Sequence, residues 1–358
     1  MSPEKKFRPY LTLGTFLVFV ALVVWRIGLS PDFRDNPQAF IFRGETMGTT
    51  WQVKVIAQSL PTDKRDAIYK TVQDALDLVD GKMSTYKPDS ELSQFNLTHA
   101  LQPQKMSPET MAVLELAKQV HKLTGGAFDP TVGPLVDAWG FGPVEASDPP
   151  SEAEIADLLE SVGMEHLSLD VEASSAAKAL PGLSIDLSAI AKGYAVDQVA
   201  LAMEAAGYAD FMVEVGGEIA TRGHNEKGEA FRIAVERPEV GSAQAIYDVV
   251  SMKNLAVATS GDYRNYREVD GVRISHTIDP RTGSPVRHRL ASVSVIHPQC
   301  AYADAMATAL TVMGPEAGLA LATAEKLAAQ FIVRTAEGRF ERQMTAPFSA
   351  LLTKPGKE

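Results

Sequence analysis

Apolar and polar residues alternate near the start of the chain in the pattern of a β-strand. From Phe42 onward, the segment that includes MGTTWQVKVIA places Trp51, Val53 and Val55 on one face, with polar residues between them. Side chains along a strand point alternately to opposite faces, so this pattern predicts one continuous strand with one buried face.

Three later segments of the first half carry the spacing and end signals of helices. The first begins at residue 62 or 63, and a second is capped by Ser107 and stops at Gly125. A third opens with a capping box at residues 151–154 and is predicted to end at Gly163. The apolar stripe of the first helix is Ile68, Val72, Leu76 and Val79.

Strand patterns dominate between positions 211 and 297, with helices on either side. A short strand in LSIDLS leads into a long helix that ends at Gly207, and a helix containing AYADAMATAL precedes a final hairpin around Glu337 and Gly338. The strands are predicted over residues 211–219, 231–236, 246–250, 255–259 and 291–297. This order indicates an α+β fold rather than the βαβ alternation of a doubly wound sheet.

The first 29 residues have the pattern of a membrane anchor. Basic residues within the first eight positions precede an uncharged run over 9–25, as in a bacterial export signal or signal anchor. Cleavage after Ser30 is an alternative, but an uncleaved anchor over 1–29 is favoured. We expect residues 30–40 to form a polar tether and residues 41–358 to form one domain outside the cytoplasm, because the basic flank stays inside.

Charge and cysteine content narrow the classes of ligand. The 358 residues carry a formal net charge of -11, which argues against nucleic acid as a partner. A phosphate ligand would therefore need a metal ion or backbone amides to neutralise it. Cys300 is the single cysteine, so an intrachain disulfide or a cysteine-based metal site is excluded.

Two polar residues stand out in the otherwise apolar segment AYADAMATAL. Asp304 and Thr308 are four residues apart, so on a helix they share a face, among alanines that let another group come close. They could be two oxygen ligands of a cation. Two structural alternatives are that Thr308 hydrogen-bonds to Asp304, or that Asp304 accepts free backbone amides near the helix start.

Three further segments combine polar residues with turn signals. In IDLSAIAKGYAVD, Asp186, Ser188 and Lys192 surround a helix start, which suits a phosphate and leaves a turn carbonyl for a hard cation. The alternative is a helix cap with a solvated lysine. In SHTIDPRTGSPV, His276 could accept a proton near neutral pH or could be structural. TGGAFDPTVGPL could hold a ligand or simply end a helix.

Eight segments follow one another along the chain: MGTTW, MSTYKPDSELSQFN, GGAFDPTVGPL, IDLSAIAKGYAVD, VEVGGEI, SGDY, HTIDPRTGSPV and ADAMATAL. In this order they resemble the bacterial FAD:protein FMN transferase family, the ApbE flavin transferases. The resemblance covers residues 42–345 and implies a single domain with mixed or antiparallel sheets flanked by helices, behind the N-terminal anchor.

The resemblance implies a reaction and a set of site residues. FAD would be split at its pyrophosphate, FMN would be joined through a phosphoester to a threonine or serine of a target protein, and AMP would leave. His276 would deprotonate the target hydroxyl. The metal ligands would be the carbonyl of Ala189 and the side chains of Asp304 and Thr308, which suit magnesium, with calcium as the alternative. The implied FAD contacts are Met47, Tyr86, Ala127, Phe128, Asp129, Asp186, Lys192 and Ile278.

The resemblance also implies partners and leaves rival functions open. The targets would be exported segments of membrane redox proteins, such as subunits of a sodium-pumping NADH:quinone oxidoreductase, at the outer face of the inner membrane. With water in place of the target, the same site would be an FAD pyrophosphatase, and without catalysis it would be a flavin-binding or delivery protein. Glu218 stands where the family commonly has an aspartate.

Overall fold

The computed structural model describes residues 37–99, 101–143, 148–236, 246–261, 266–269 and 272–353. Eight α-helices lie within these residues. They are α1 (Thr62–Met83), α2 (Glu91–Leu97), α3 (Pro108–Thr124), α4 (Gly133–Ala138), α5 (Glu152–Leu159), α6 (Ala191–Ala205), α7 (Cys300–Ala324) and α8 (Ala346–Ser349).

The strands of the described residues form antiparallel sheets. They are β1 (Gln38–Thr46), β2 (Thr49–Ala57), β3 (Gln104–Lys105), β4 (Leu167–Asp170), β5 (Ser175–Lys178), β6 (Phe211–Val215), β7 (Glu218–Arg222), β8 (Phe231–Glu236), β9 (Ile246–Met252), β10 (Ala256–Gly261), β11 (Tyr266–Val269), β12 (Val272–Ser275), β13 (Ile278–Asp279), β14 (Ser284–Pro285), β15 (Leu290–His297), β16 (Ala328–Arg334), β17 (Phe340–Met344) and β18 (Leu352–Thr353).

One eight-stranded sheet organises the domain. Its strand order is β1-β2-β6-β7-β10-β15-β16-β17, and every neighbouring pair is antiparallel. Smaller antiparallel sheets are β18-β9-β8, β3-β5-β4 and the pairs β11-β12 and β13-β14. The α+β prediction is thus confirmed, with antiparallel sheets among the described strands.

The main core lies between the large sheet and the helices packed on one of its faces. Strand β15 is buried along nearly its whole length, and α6 and α7 cover the sheet beside it. Helix α7 is long and apolar enough to cross a membrane by length and composition, with a mean hydropathy of 1.3, but most of it is buried inside the domain. It is therefore a core helix, interrupted at Gly314, which precedes Pro315.

The helix predictions of the first half are confirmed, because they rest on end signals that act locally. Ser107 caps α3 and Gly125 ends it with a left-handed conformation, at a φ of 58°. The capping box of Ser151 and Glu154 is present at the start of α5, although that helix ends at Leu159, before the predicted stop at Gly163. The predicted stripe of α1 is buried.

Three strand predictions are wrong. The short strand predicted in LSIDLS is absent from these described residues, since Ser184 forms only an isolated bridge with Val132. The other two predicted strands are each a hairpin. The strand predicted from Phe42 is β1 and β2, joined at Met47 and Gly48, whose φ values are 46° and 68°. The strand predicted over 211–219 is β6 and the start of β7, joined at Gly216 and Gly217. A two-residue turn with positive φ leaves the alternation of apolar residues intact on both sides, so periodicity alone does not detect it.

The start of the domain is earlier than expected. Strand β1 begins at Gln38, so residues 38–40 belong to the large sheet rather than to a tether. The predicted anchor over residues 1–29 lies outside the described residues.

Candidate functional site

One cleft of about 620 Å³ brings together most of the predicted site residues. A volume of this size is in the usual range for a small-molecule or cofactor site. The predicted residues that line it are Ala127, Phe128, Asp129, Asp186, Ala189, Lys192, His276, Ile278, Asp304 and Thr308. Its walls come from the loop after α3, the start of α6, the tip of the β6-β7 hairpin, the end of β10 and one face of α7.

The cleft depends on a very close approach of α6 to α7 at Gly193. A Cβ atom at this position would lie 2.6 Å from the carbonyl oxygen of Cys300 and 2.8 Å from the Cβ of Asp304. Because real Cβ contacts are longer than 3.0 Å, only glycine allows this packing. The close approach lets the Gly193 amide donate to Asp304 Oδ2 at 3.0 Å.

Neither of the two structural alternatives for Asp304 is present. Within the described residues Asp304 and Thr308 are not hydrogen-bonded to each other, and Asp304 accepts no amide at the start of its own helix. It accepts an amide from the first turn of α6 instead. The hydroxyl of Thr308 and the carboxylate of Asp304 therefore remain side by side on the cleft face of α7.

The carbonyl of Ala189 is free of the helix that follows it. In a regular helix the Gly193 amide would bond to the carbonyl four residues earlier, which is that of Ala189. Because this amide is taken by Asp304, no backbone amide of the described residues donates to Ala189.

These oxygens suit a hard cation. A carbonyl, a carboxylate and a hydroxyl are oxygen donors of the kind that magnesium binds while keeping several waters. The described residues contain no group of three or more His, Cys, Asp or Glu arranged as a metal site, so a cation here would rest on one carboxylate.

Lys192 lies between two buried carboxylates. Its Nζ is 3.1 Å from Glu218 Oε1 and 3.8 Å from Asp304 Oδ2, while about a third of its side chain is exposed to the cleft. Burial alone would lower the pKa of Lys192, but Asp304 and Glu218 together raise it. Lys192 therefore stays protonated. Burial raises the pKa of Glu218 to about 7, against the attraction of Lys192.

Asp197, a carboxylate on α6, holds the start of α7. Its two oxygens accept the amides of Cys300 and Ala301, both at 2.9 Å, which are among the first amides of that helix and have no partner within it. Burial raises the pKa of Asp197 to about 6, although both hydrogen bonds lower it. Asp197 thus fixes α7 against α6 from outside the cleft.

The loop after α3 is ordered by Asp129. Oδ1 of its carboxylate accepts the amide and the hydroxyl of Thr131, at 2.8 and 2.6 Å. Oδ2 accepts the amide of Met164 at 3.2 Å and lies 3.2 Å from His121 Nδ1. The hydrogen bond to Asp129 raises the pKa of His121. Asp129 reaches the cleft, but these contacts make it an organiser of the loop that presents Ala127 and Phe128.

His276 lines the cleft, beside an aromatic and acidic cluster. Its ring meets that of Phe141 edge-on, with centroids 6.4 Å apart. The hydroxyl of Tyr86 donates to the carbonyl of Phe141 at 3.0 Å. Burial and the charges of Asp186 and Asp137 raise the pKa of Tyr86. Burial and Asp186 also raise the pKa of Asp137 to about 6.

Two predicted contacts do not line the cleft. Tyr86 is 65% exposed and reaches the rim only through Phe141, and Met47 lies in the turn between β1 and β2, partly packed on the main core. Their roles in flavin binding stay predictions. The carboxylate of Asp186 accepts the amide of Ser188 at 2.7 Å. It therefore orders the turn before α6 but does not cap the helix directly.

Three residues of this region were not predicted from the sequence: Gly193, Asp197 and Asp137. Gly193 carries a signal that could have been noticed, since glycine inside a helix usually has a packing reason. Asp197 and Asp137 carry no local signal, because their partners are distant in sequence or depend on burial.

The chain is similar over most of its length to flavin transferases. The ApbE family profile matches residues 47–331. The FAD:protein FMN transferase of Vibrio cholerae serotype O1 is 42% identical over 312 residues, which are 87% of this chain and 92% of the relative. The protein of the same name from Haemophilus influenzae is 40% identical over 85% of this chain and 89% of the relative. A solved structure, Flavin Transferase ApbE from Vibrio cholerae, superposes with a TM-score of 0.80 at 39% identity, and covers 88% of this chain and 100% of that one.

Proposed function

Because the chain belongs to the ApbE family, we propose that it is an enzyme that transfers FMN from FAD to a threonine or serine hydroxyl of a target protein and releases AMP. The observation that carries the proposal is the cleft, where Lys192, the free Ala189 carbonyl and the Asp304 and Thr308 side chains meet His276 around one cavity. Such a set can bind a pyrophosphate, take up a cation and accept a proton.

The charged residues of the cleft have separate tasks in this proposal. Lys192, protonated and open to the cleft, binds phosphate oxygens of FAD. The hydrogen-bonded loop behind Asp129 presents Ala127 and Phe128, which bind the flavin nucleotide together with Ile278. Since the chain is acidic overall, these local contacts have to offset the charge of a phosphate ligand.

The covalent step exchanges the phosphoanhydride linkage of FAD for a phosphoester linkage to the acceptor. The acceptor oxygen forms a bond to the phosphorus of the FMN half, the pyrophosphate bond breaks, and AMP leaves with the bridging oxygen. The proton of the acceptor hydroxyl passes to a ring nitrogen of His276 and then to water. His276 suits this task because imidazole accepts a proton near neutral pH.

The oxygens of Ala189, Asp304 and Thr308 would hold a magnesium ion. Such an ion neutralises charge that develops on the transferred phosphoryl group. The fit is supported by the carbonyl that no backbone amide uses and by the adjacent carboxylate and hydroxyl.

We also propose a location and a class of target. An uncleaved anchor over residues 1–29 would hold the domain at the outer face of the inner membrane. The targets would then be exported segments of membrane redox proteins that carry an acceptor threonine or serine.

The test is to incubate the protein with FAD and an acceptor peptide, with magnesium or with a chelator. Mass spectrometry should find the mass of FMN on the peptide, and chromatography should find an equal amount of AMP. Both products should require the metal. Asp304→Ala should abolish metal-dependent transfer, because it removes the one carboxylate of the cation site.

Each rival function predicts a different result. FMN and AMP released at the same rate without the peptide would indicate an FAD pyrophosphatase. Bound FAD that is never cleaved would indicate a flavin carrier. Full transfer by the Asp304→Ala variant would contradict the cation site while leaving the transferase assignment intact.

A further inference from the structure

Glu218 is the closer of the two carboxylates that share the Lys192 ammonium. Its Oε1 lies 3.1 Å from Nζ, against 3.8 Å for Asp304 Oδ2. Both carboxylates are almost fully buried, with 3% of Glu218 and 4% of Asp304 exposed. The three side chains together carry a net charge of -1 when both acids are ionised.

The second oxygen of Glu218 has an unused capacity for a hydrogen bond. Oε2 is buried and takes no hydrogen bond from the described residues. A buried polar atom without a partner costs free energy, so it needs an explanation. This oxygen can receive the ammonium of Lys192 if the ammonium moves away from Asp304.

A divalent cation at Asp304 requires such a movement. The ammonium and the cation would both be drawn to one carboxylate, and two positive charges a few ångströms apart repel each other strongly inside a protein. The stem of Lys192 passes close to the tip of the β6-β7 hairpin, where a Cβ at Gly216 would lie 3.3 Å from Lys192 Cδ. The nearest alternative partner is Glu218.

We propose that Glu218 is a positioning residue that holds the Lys192 ammonium away from Asp304, so that the Asp304 carboxylate stays available to the divalent cation. This inference rests on the proposed function, since it takes the Asp304 site as the cation site. In this role Glu218 acts through Lys192 rather than on the substrate or the cation, and it also keeps the ammonium inside the cleft.

The test is a double-mutant cycle that measures the affinity for Mg²⁺ without FAD. The variants are Glu218→Gln, Lys192→Met and the two combined, with Mg²⁺ binding followed by calorimetry and free Mn²⁺ by its paramagnetic resonance signal. In Glu218→Gln, Asp304 is the one carboxylate partner left to the ammonium among the described residues. We expect this variant to bind the cation about tenfold more weakly, which is about 1.4 kcal/mol.

The Lys192→Met background separates the two ways in which Glu218 could act. If Glu218 acts through Lys192, the added Glu218→Gln change should alter the affinity by less than about threefold. A tenfold loss that persists in this background would overturn the inference, because the charge of Glu218 would then act directly on the cation. An unchanged affinity in the single Glu218→Gln variant would overturn it as well.

Matched variants control for charge and for folding. Glu214 lines the same cleft and accepts the amide of Gly217 at 2.7 Å, but it forms no described ion pair with Lys192. Glu214→Gln should therefore weaken Mg²⁺ binding by less than about threefold, and a loss equal to that of Glu218→Gln would refute the specific role. Glu218→Asp keeps the charge and should recover part of the affinity, with thermal unfolding as the check on folding.

The same Mg²⁺ titration separates the role of Glu218 from the proposed function on which it depends. If the unaltered protein transfers FMN but binds no Mg²⁺ or Mn²⁺, the proposed cation site is wrong and the role of Glu218 falls with it. If the unaltered protein binds the cation and Glu218→Gln binds it equally well, only the role of Glu218 is refuted.

Discussion

Gly193→Ala tests whether the close approach of α6 to α7 builds the site. The added Cβ would lie 2.6 Å from the Cys300 carbonyl oxygen and 2.8 Å from both Ala301 Cα and the Asp304 Cβ. Ordinary van der Waals contact begins at 3.4 Å, so the helices must move apart by up to about 0.8 Å, the difference between 3.4 and 2.6.

The expected loss of stability is small, because two effects oppose each other. Overpacking a core costs about 1–3 kcal/mol. Alanine is favoured over glycine inside a helix by about 1 kcal/mol. The net loss should therefore lie between about 0 and 2 kcal/mol, and the variant should fold.

The expected effect of Gly193→Ala on the rate of flavin transfer is larger than its effect on stability. The movement shifts Asp304 relative to the Ala189 carbonyl and Lys192, and stretches the hydrogen bond from the Gly193 amide, now 3.0 Å. A misplacement of about 1 Å in a site costs on the order of 100-fold in rate. We expect flavin transfer, measured as FMN on the acceptor peptide, to fall by roughly this factor, with weaker Mg²⁺ binding.

Gly81 provides the matched control. It lies in α1, is exposed, and would have no atom within 4 Å of an added Cβ. Gly81→Ala should stabilise the protein by up to about 1 kcal/mol and leave transfer unchanged. Full transfer and unchanged Mg²⁺ affinity in Gly193→Ala would refute the reasoning, because the helix spacing would then not matter to the site.

Three further changes test other parts of the site. His276→Gln should slow transfer by roughly 100-fold or more while FAD binding, followed by flavin fluorescence, changes little; a loss below tenfold would rule out His276 as the base. Cys300→Ser should transfer FMN at a rate within about twofold of the original at a cost of about 1–3 kcal/mol in stability, because burial raises the thiol pKa and leaves it unreactive; a tenfold loss would contradict this. Asp197 has a raised pKa of about 6 in the folded protein, against an ordinary value of 3.8, so its contribution to stability is full below pH 4 and falls as the pH rises to about 6. Asp197→Asn should lack this fall, which amounts to about 3 kcal/mol for about two pH units. If the free energies of unfolding of the two proteins, measured with denaturant at pH 4 to 7, change with pH in parallel, the reasoning is wrong.

Much of the secondary structure could be predicted, because its signals are local. Ser107, Gly125 and the capping box at Ser151 act on backbone groups within one turn of the helix they bound. The two missed hairpins have the opposite cause: Met47 with Gly48, and Gly216 with Gly217, reverse the chain without interrupting the apolar alternation. Periodicity reports which face a side chain occupies, not the direction in which its strand runs.

The sequence by itself determined the α+β class, the start of α1, both ends of α3, the start of α5 and ten of the residues that line one cleft. Only the tertiary structure decided how those residues meet. The Gly193 amide bonds to Asp304, 111 positions later, and Asp197 holds the amide of Cys300, 103 positions later. The physical reason is that caps and apolar stripes act within a few residues, whereas these contacts exist only after α6 and α7 have packed on the sheet at a distance that a glycine allows.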